Sequence, residues 1–191
     1  MHAARLASAL LVLLVASTAG AAGADTPPDA LSQLPAHIAV DSRLHVSAQP
    51  AAEALMKLPA AGVRTVINLR PAAEAPDLDE KSIVEKAGMK YHALPIAGAA
   101  GLTRDNVNLF DRILSETGEG KVLMHCGSGN RVGAMMALRA HWVQGKSAEE
   151  ALVIGRSSGL KGLEGDVKTL LQSEAPQADA VSAASPYRPQ N

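Results

Sequence analysis

The one cysteine of the chain, Cys126, is followed by an arginine, Arg131, in the run Val122-Leu123-Met124-His125-Cys126-Gly127-Ser128-Gly129-Asn130-Arg131-Val132-Gly133. An apolar stretch, then small residues, then an Ala- and Met-rich stretch predict strand, tight loop and helix, with Cys126 at the strand's end. In such a loop the backbone N–H groups of Gly127, Ser128, Gly129 and Asn130 turn inward as an anion-binding nest, reinforced by the helix dipole. Arg131 adds a planar fork of donors matched to a tetrahedral oxyanion. An ordinary thiol with a pKa of about 8.5 is only about 3% ionised at pH 7, and a helix N-terminus beside an arginine can lower that pKa by about 3 units. These residues therefore combine a nucleophile, an anion cradle and a charge clamp. A buried inert cysteine before a glycine turn is the plainer alternative. It leaves the glycines, and the arginine opening an apolar helix, without a reason.

Several neighbours could support this chemistry. His125 either joins a hydrogen-bond network around the thiolate or simply packs within its strand. Arg70, at the end of Val63–Leu69, either binds a substrate anion or pairs with Glu74. Asp105 either protonates a leaving group or, at the start of a helix, favours the dipole. Glu74 and Asp77 are weaker acid candidates in the loop after Arg70. Arg156 belongs to a turn after a helix and less readily faces the site. His37, His45, His92 and His141 lack metal-ligand spacing, so no metal site and no cofactor is expected.

The elements that must position these residues alternate between strand and helix. Short strands are expected at Ile38–Val40 and Leu44–Val46, then a helix from Pro50 to about Lys57 that Gly62 closes off. Val63–Leu69 is a β-branched run suited to a buried strand. Asp77 is a candidate cap for a helix carrying Ile83, Val84 and Ala87 and ending at Gly88. Tyr91–Ile96 is a further strand. Thr103 caps a helix with an inner face of Val107, Phe110 and Leu114. Lys121–His125 is a strand, Arg131–Val143 a largely buried helix, and Ser147 caps another helix to about Gly155. Leu163–Leu171 completes the series. This order predicts an α/β fold: a mainly parallel central sheet flanked by helices on both faces, with ligands gathering at the carboxyl ends of the strands.

The full chain has 191 residues, 47% of them hydrophobic and 19% charged, enough for one domain with a packed core. Only four residues are aromatic, too few for a nucleic-acid stacking platform, and a net charge of −1 provides no basic field for phosphate backbones. Residues 1–24 carry Arg5, an apolar stretch from Leu6 to Ala16 and Ala22-Gly23-Ala24, the pattern of a cleaved signal peptide. That stretch is too short for a bilayer span of ~20 residues. A periplasmic or secreted protein with no stable membrane insertion after cleavage is expected. Residues 25–35 read as a linker, 36–173 as the catalytic domain, and 174–191, rich in Ala, Pro, Ser and Gln, as a disordered tail.

The His-Cys-x-x-Gly-x-Arg pattern of residues 125–131 resembles the cysteine-dependent protein phosphatase superfamily. Ser47-Ala48-Gln49-Pro50 resembles the Ser-x-Gln-Pro of bacterial dual-specificity-phosphatase-like proteins, Val66-Ile67-Asn68-Leu69-Arg70 their Val-Ile-Asn-Leu-Arg strand, and Tyr91-His92-Ala93-Leu94-Pro95 their Tyr-x-x-x-Pro strand. The best match is the beta-lactamase-hydrolase-like protein phosphatase-like domain, over about Ala36 to Leu171. The resemblance implies a cysteine-phosphatase-like fold, Cys126 as nucleophile, the Gly127–Asn130 backbone as oxyanion cradle and Arg131 as transition-state clamp.

Two departures open other readings. Tyrosine phosphatases place five residues between Cys and Arg, whereas four stand here, the loop length of rhodanese-type sulfurtransferases. The aspartate that dual-specificity phosphatases carry after the strand ending here at Pro95 is missing, with no acid until Asp105. A phosphatase-like hydrolase is expected first, a sulfurtransferase or persulfide carrier on Cys126 second, and a noncatalytic anion-binding module third. The expected partner is a small anionic substrate, a phosphate monoester or a sulfane sulfur donor.

Overall fold

The computed structural model describes residues 29–173; the expected signal peptide and C-terminal tail lie outside them. Five strands are joined in the order β1-β2-β5-β3-β4. They are β1 (Ile38–Ala39), β2 (Leu44–Ser47), β3 (Val63–Asn68), β4 (Lys90–Ala93) and β5 (Lys121–His125). Only the β1–β2 pair is antiparallel, so the mainly parallel sheet expected from the alternation is present.

The two-residue period of the strands sorts side chains onto two faces. Val46, Ile67, Val122 and Met124 face a core completed by α3 (Arg104–Glu116), α4 (Asn130–Trp142), α5 (Ala148–Ser157) and α6 (Glu164–Ser173). Val63, Val66 and Leu123 face a second core built by α1 (Ala52–Lys57) and α2 (Glu80–Lys86). Helices therefore cover both faces, and the sheet's central strand delivers Cys126. On α3 the buried residues are the expected Val107, Phe110 and Leu114, with Ile113 beside them.

Some boundaries differ from expectation. Leu31 and Leu34 are buried in the second core and Ala48 N–H donates to Pro35 O at 2.8 Å, so part of the stretch read as linker is packed into the domain. Burying one such leucine contributes about 1.5–3 kcal/mol. Asp79, not Asp77, caps α2, its side chain accepting from Ser82 N–H. Helix α1 begins at Ala52 behind Ala51, leaving Pro50 outside the helix. Strand β4 stops at Ala93 because Pro95 has no N–H to give. Leu94 and Ile96 still donate to Asn68 O and Leu69 O, at 2.9 and 3.0 Å. No helix among the described residues is long and apolar enough to cross a membrane.

Candidate active site

Ser47 and Asn68 are both register partners of His125, from β2 and β3 on either side of β5. Three parallel strands thus end at one level, and the segments that leave them, Ser47–Pro50, Asn68–Arg70 and His125–Arg131, meet above the same sheet edge. Cys126 is fully buried there. Gly129 adopts φ +84°, a left-handed conformation that aims its N–H at Cys126 Sγ, 3.1 Å away. Gly127 and Ser128 are open to solvent, so the loop has a mouth. A Cβ at Gly127 would stand 3.3 Å from Arg131 Nη2, which leaves no slack for a side chain beside the clamp.

Arg131 is 14% exposed and gives both terminal nitrogens to Glu74, Nη1 to Oε1 and Nη2 to Oε2, each at 2.7 Å. Nη1 also reaches Ile96 O at 3.2 Å. This edge-on pairing fixes the guanidinium plane and leaves its Nε side free of the carboxylate. Donation to the Glu74 carboxylate is the main influence holding the Arg131 pKa above its ordinary value, with the Cys126 sulfur adding to it. Arg131, and then Arg70, hold the Glu74 carboxyl below the usual range. Glu74 is therefore ionised and tied at both sides, which suits an anchor for the Arg131 guanidinium and not a proton donor.

Arg70 takes the paired role. Its Nε reaches Glu74 Oε2 at 3.3 Å, its Nη2 donates to Glu74 O and its Nη1 to Gln49 Oε1. His125 is fully buried, and its Nε2 lies 2.6 Å from Glu80 Oε1. Glu80, itself 4% exposed, accepts from Gln49 Nε2 at 3.0 Å and Asn68 Nδ2 at 3.2 Å through Oε2. Sequence reasoning missed Glu80 and gave Gln49 no role beyond its place in the Ser-x-Gln-Pro motif. Glu80 looks like an ordinary surface residue of a helix's first turn, and only the packing of α2 against the sheet edge brings it inside.

Two of the weaker candidates take no part in these bonds. Asp105 is exposed in the first turn of α3 and makes none of the bonds found at the site, the structural alternative for that residue. Arg156 pairs with Glu164 through both Nε and Nη2, at 2.9 and 2.7 Å. Asn130, expected to serve the loop through its backbone N–H, has a side chain with a part of its own: Oδ1 accepts from Lys161 and Leu163 N–H, at 2.8 and 3.3 Å. That bond belongs to a brace behind the loop. A Cβ on Gly133 would lie 2.0 Å from Leu160 N, and one on Gly159 3.2 Å from Gly129 O. Glycine lets the α5–α6 turn press directly on the first turn of α4. Among the described residues no group of three or more His, Cys, Asp and Glu side chains could hold a metal ion.

Residues 37–141 match the family model for the beta-lactamase hydrolase-like protein, phosphatase-like domain. The chain belongs to this family. Beta-lactamase hydrolase-like protein of Xylella fastidiosa (strain 9a5c) is 31% identical over 148 residues, which cover 75% of this chain and 33% of that protein. The chain thus spans about a third of the length of the curated relatives it matches. The same fold occurs in a DUF442 protein of Shewanella putrefaciens CN-32, at a TM-score of 0.59 and 22% identity, covering 75% of this chain and 95% of that one. Tk-PTP in its active form is similar at a TM-score of 0.54 and 22% identity, covering 74% of this chain and 99% of that one. The phosphatase-like fold expected from the loop and strand motifs is the fold found.

Proposed function

We propose that this phosphatase-like domain is a cysteine-dependent phosphoester hydrolase that works after export, in the periplasm or outside the cell, on a small anionic substrate. The carrying observation is the pairing of a buried Cys126 sulfur, bonded by Gly129 N–H at 3.1 Å, with an Arg131 guanidinium fixed by Glu74. In the reaction the Cys126 thiolate attacks phosphorus; an S–P bond forms and the P–O bond to the leaving group breaks. Loop N–H groups and Arg131 hold the non-bridging oxygens as charge accumulates on them. Water then attacks the phosphocysteine, the S–P bond breaks, and inorganic phosphate and the thiolate are released. Glu74 is held ionised and Asp105 stands apart, so the departing oxygen draws its proton from solvent. Esters of acidic alcohols are the best substrates under that constraint.

The test offers purified full chain an aryl phosphate and, separately, thiosulfate with cyanide, alongside Cys126→Ser. Phosphate release that disappears in Cys126→Ser, without sulfur transfer, supports the hydrolase. An added mass of about 32 Da on Cys126 after thiosulfate, one sulfur atom, with no phosphate release, would replace it with sulfur transfer. No turnover in either assay, with phosphate still raising thermal stability, would reduce the site to an anion-binding module.

A further inference from the structure

Gln49 stands where two halves of the site meet. On one side its Nε2 donates to Glu80 Oε2, and Glu80 Oε1 lies 2.6 Å from His125 Nε2, the residue before the nucleophile. On the other side its Oε1 accepts from Arg70, which holds Glu74, which holds Arg131. We propose that Gln49 and Glu80 are positioning residues, a side-chain relay through which the backing of Cys126 and the orientation of Arg131 are set together. The relay rests on the reading of Cys126 as nucleophile and Arg131 as clamp.

The residue types fit the task. An amide presents a donor nitrogen and an acceptor oxygen in a fixed plane, and here the nitrogen meets a carboxylate and the oxygen a guanidinium. A carboxylate at position 49 would face Glu80 with like charge; an apolar side chain would bond to neither. Glu80 accepts from Gln49 and Asn68 at Oε2 while Oε1 lies 2.6 Å from His125 Nε2, so both carboxylate oxygens are engaged. Asn68 ties the same hub to the strand end, since its Oδ1 accepts from Arg70 N–H at 2.8 Å and its Nδ2 also reaches the half-buried Tyr91 hydroxyl at 3.0 Å. Apart from His125 Nδ1, which has no partner among the described residues, the network is bonded throughout, and losing one member leaves its neighbours unpaired and free to turn.

Two variants of the full chain test the relay, with readouts that do not require turnover. Gln49→Met changes no charge, so its effect on Cys126 is an effect of orientation. The groups around the thiol are His125 from β5 and Arg131 from α4, with Glu80, Arg70 and Glu74 one bond further out. The pH profile of iodoacetamide alkylation of Cys126 should move to higher pH, with a rate about threefold lower at pH 6 and equal to wild type at high pH. Protection of Cys126 by inorganic phosphate should need about fivefold more phosphate. Glu80→Gln gives the sharper sign. Removing a negative charge near an anion site would by simple electrostatics tighten phosphate binding, whereas a broken relay weakens it. Weaker phosphate protection in Glu80→Gln is the expected result. Tighter protection there, or a Gln49→Met profile that overlies wild type while its melting temperature falls, would reduce these residues to ordinary packing. If one variant does not fold, the other decides by the same readout. A wild-type Cys126 that resists alkylation at every pH would overturn the hydrolase reading itself.

Discussion

Arg131 and Glu74, 57 residues apart in sequence, share two parallel hydrogen bonds of 2.7 Å at the mouth of the Cys126 loop. The pair is bidentate, which fixes a plane as well as a distance. Its worth lies in where the guanidinium points. With Glu74 39% exposed, screening by solvent keeps the contribution to folding small.

Glu74→Gln should therefore disturb function more than stability. Phosphate affinity, read by calorimetry, is expected to fall about threefold to tenfold while the melting temperature stays close to wild type. Arg131→Ala should remove measurable phosphate binding, and unchanged affinity in that variant would end its role as clamp.

The pH dependence of the pair has a definite sign. Arg131 and Arg70 lower the folded-state pKa of Glu74 below its unfolded value. Its stabilisation is thus fully present above about pH 4.3, the unfolded value, and is lost as pH falls through the lower folded value. The melting-temperature difference between wild type and Glu74→Gln should stay constant from pH 7 to about pH 5 and vanish in stronger acid. A difference that already fades between pH 7 and 6 would contradict the assignment.

Asp105→Asn should leave hydrolysis of an aryl phosphate within about twofold of wild type, since the side chain is exposed in the first turn of α3 and only its dipole interaction is lost. A fall of about 10²-fold in kcat would restore it as the proton donor.

The brace behind the loop predicts a cost for one methyl group. Gly133→Ala places a carbon 2.0 Å from Leu160 N, a backbone atom that cannot swing aside. Chemical denaturation should show a loss of about 2–4 kcal/mol. Phosphate binding should weaken too, because the Gly159 turn that supports Gly129 must shift with it.

Much of this molecule is legible in the chain because the relevant forces act over a few residues. The left-handed Gly129, the Thr103 and Ser147 caps and the strand–loop–helix around Cys126 are local consequences of backbone and side-chain chemistry. Alternation of strand and helix also implies the parallel sheet, and the single cysteine and its arginine mark the site. What the chain could not disclose is which distant side chains meet. Asp77 is the cap expected, but the helix begins two residues later and Asp79 caps it. Arg70 had two partners open to it, substrate or Glu74, and the loop geometry chose Glu74. Glu80 carries no signal, and Gln49 is marked only as part of the Ser-x-Gln-Pro resemblance, with no role attached. They become neighbours only because Ser47, Asn68 and His125 come into register across three parallel strands, so the segments beyond them converge. The proposed nucleophile, Cys126, and the proposed clamp, Arg131, are thus written in six consecutive residues. Their orientation comes from a network gathered across the fold, because a buried polar group must find its partners wherever packing places them.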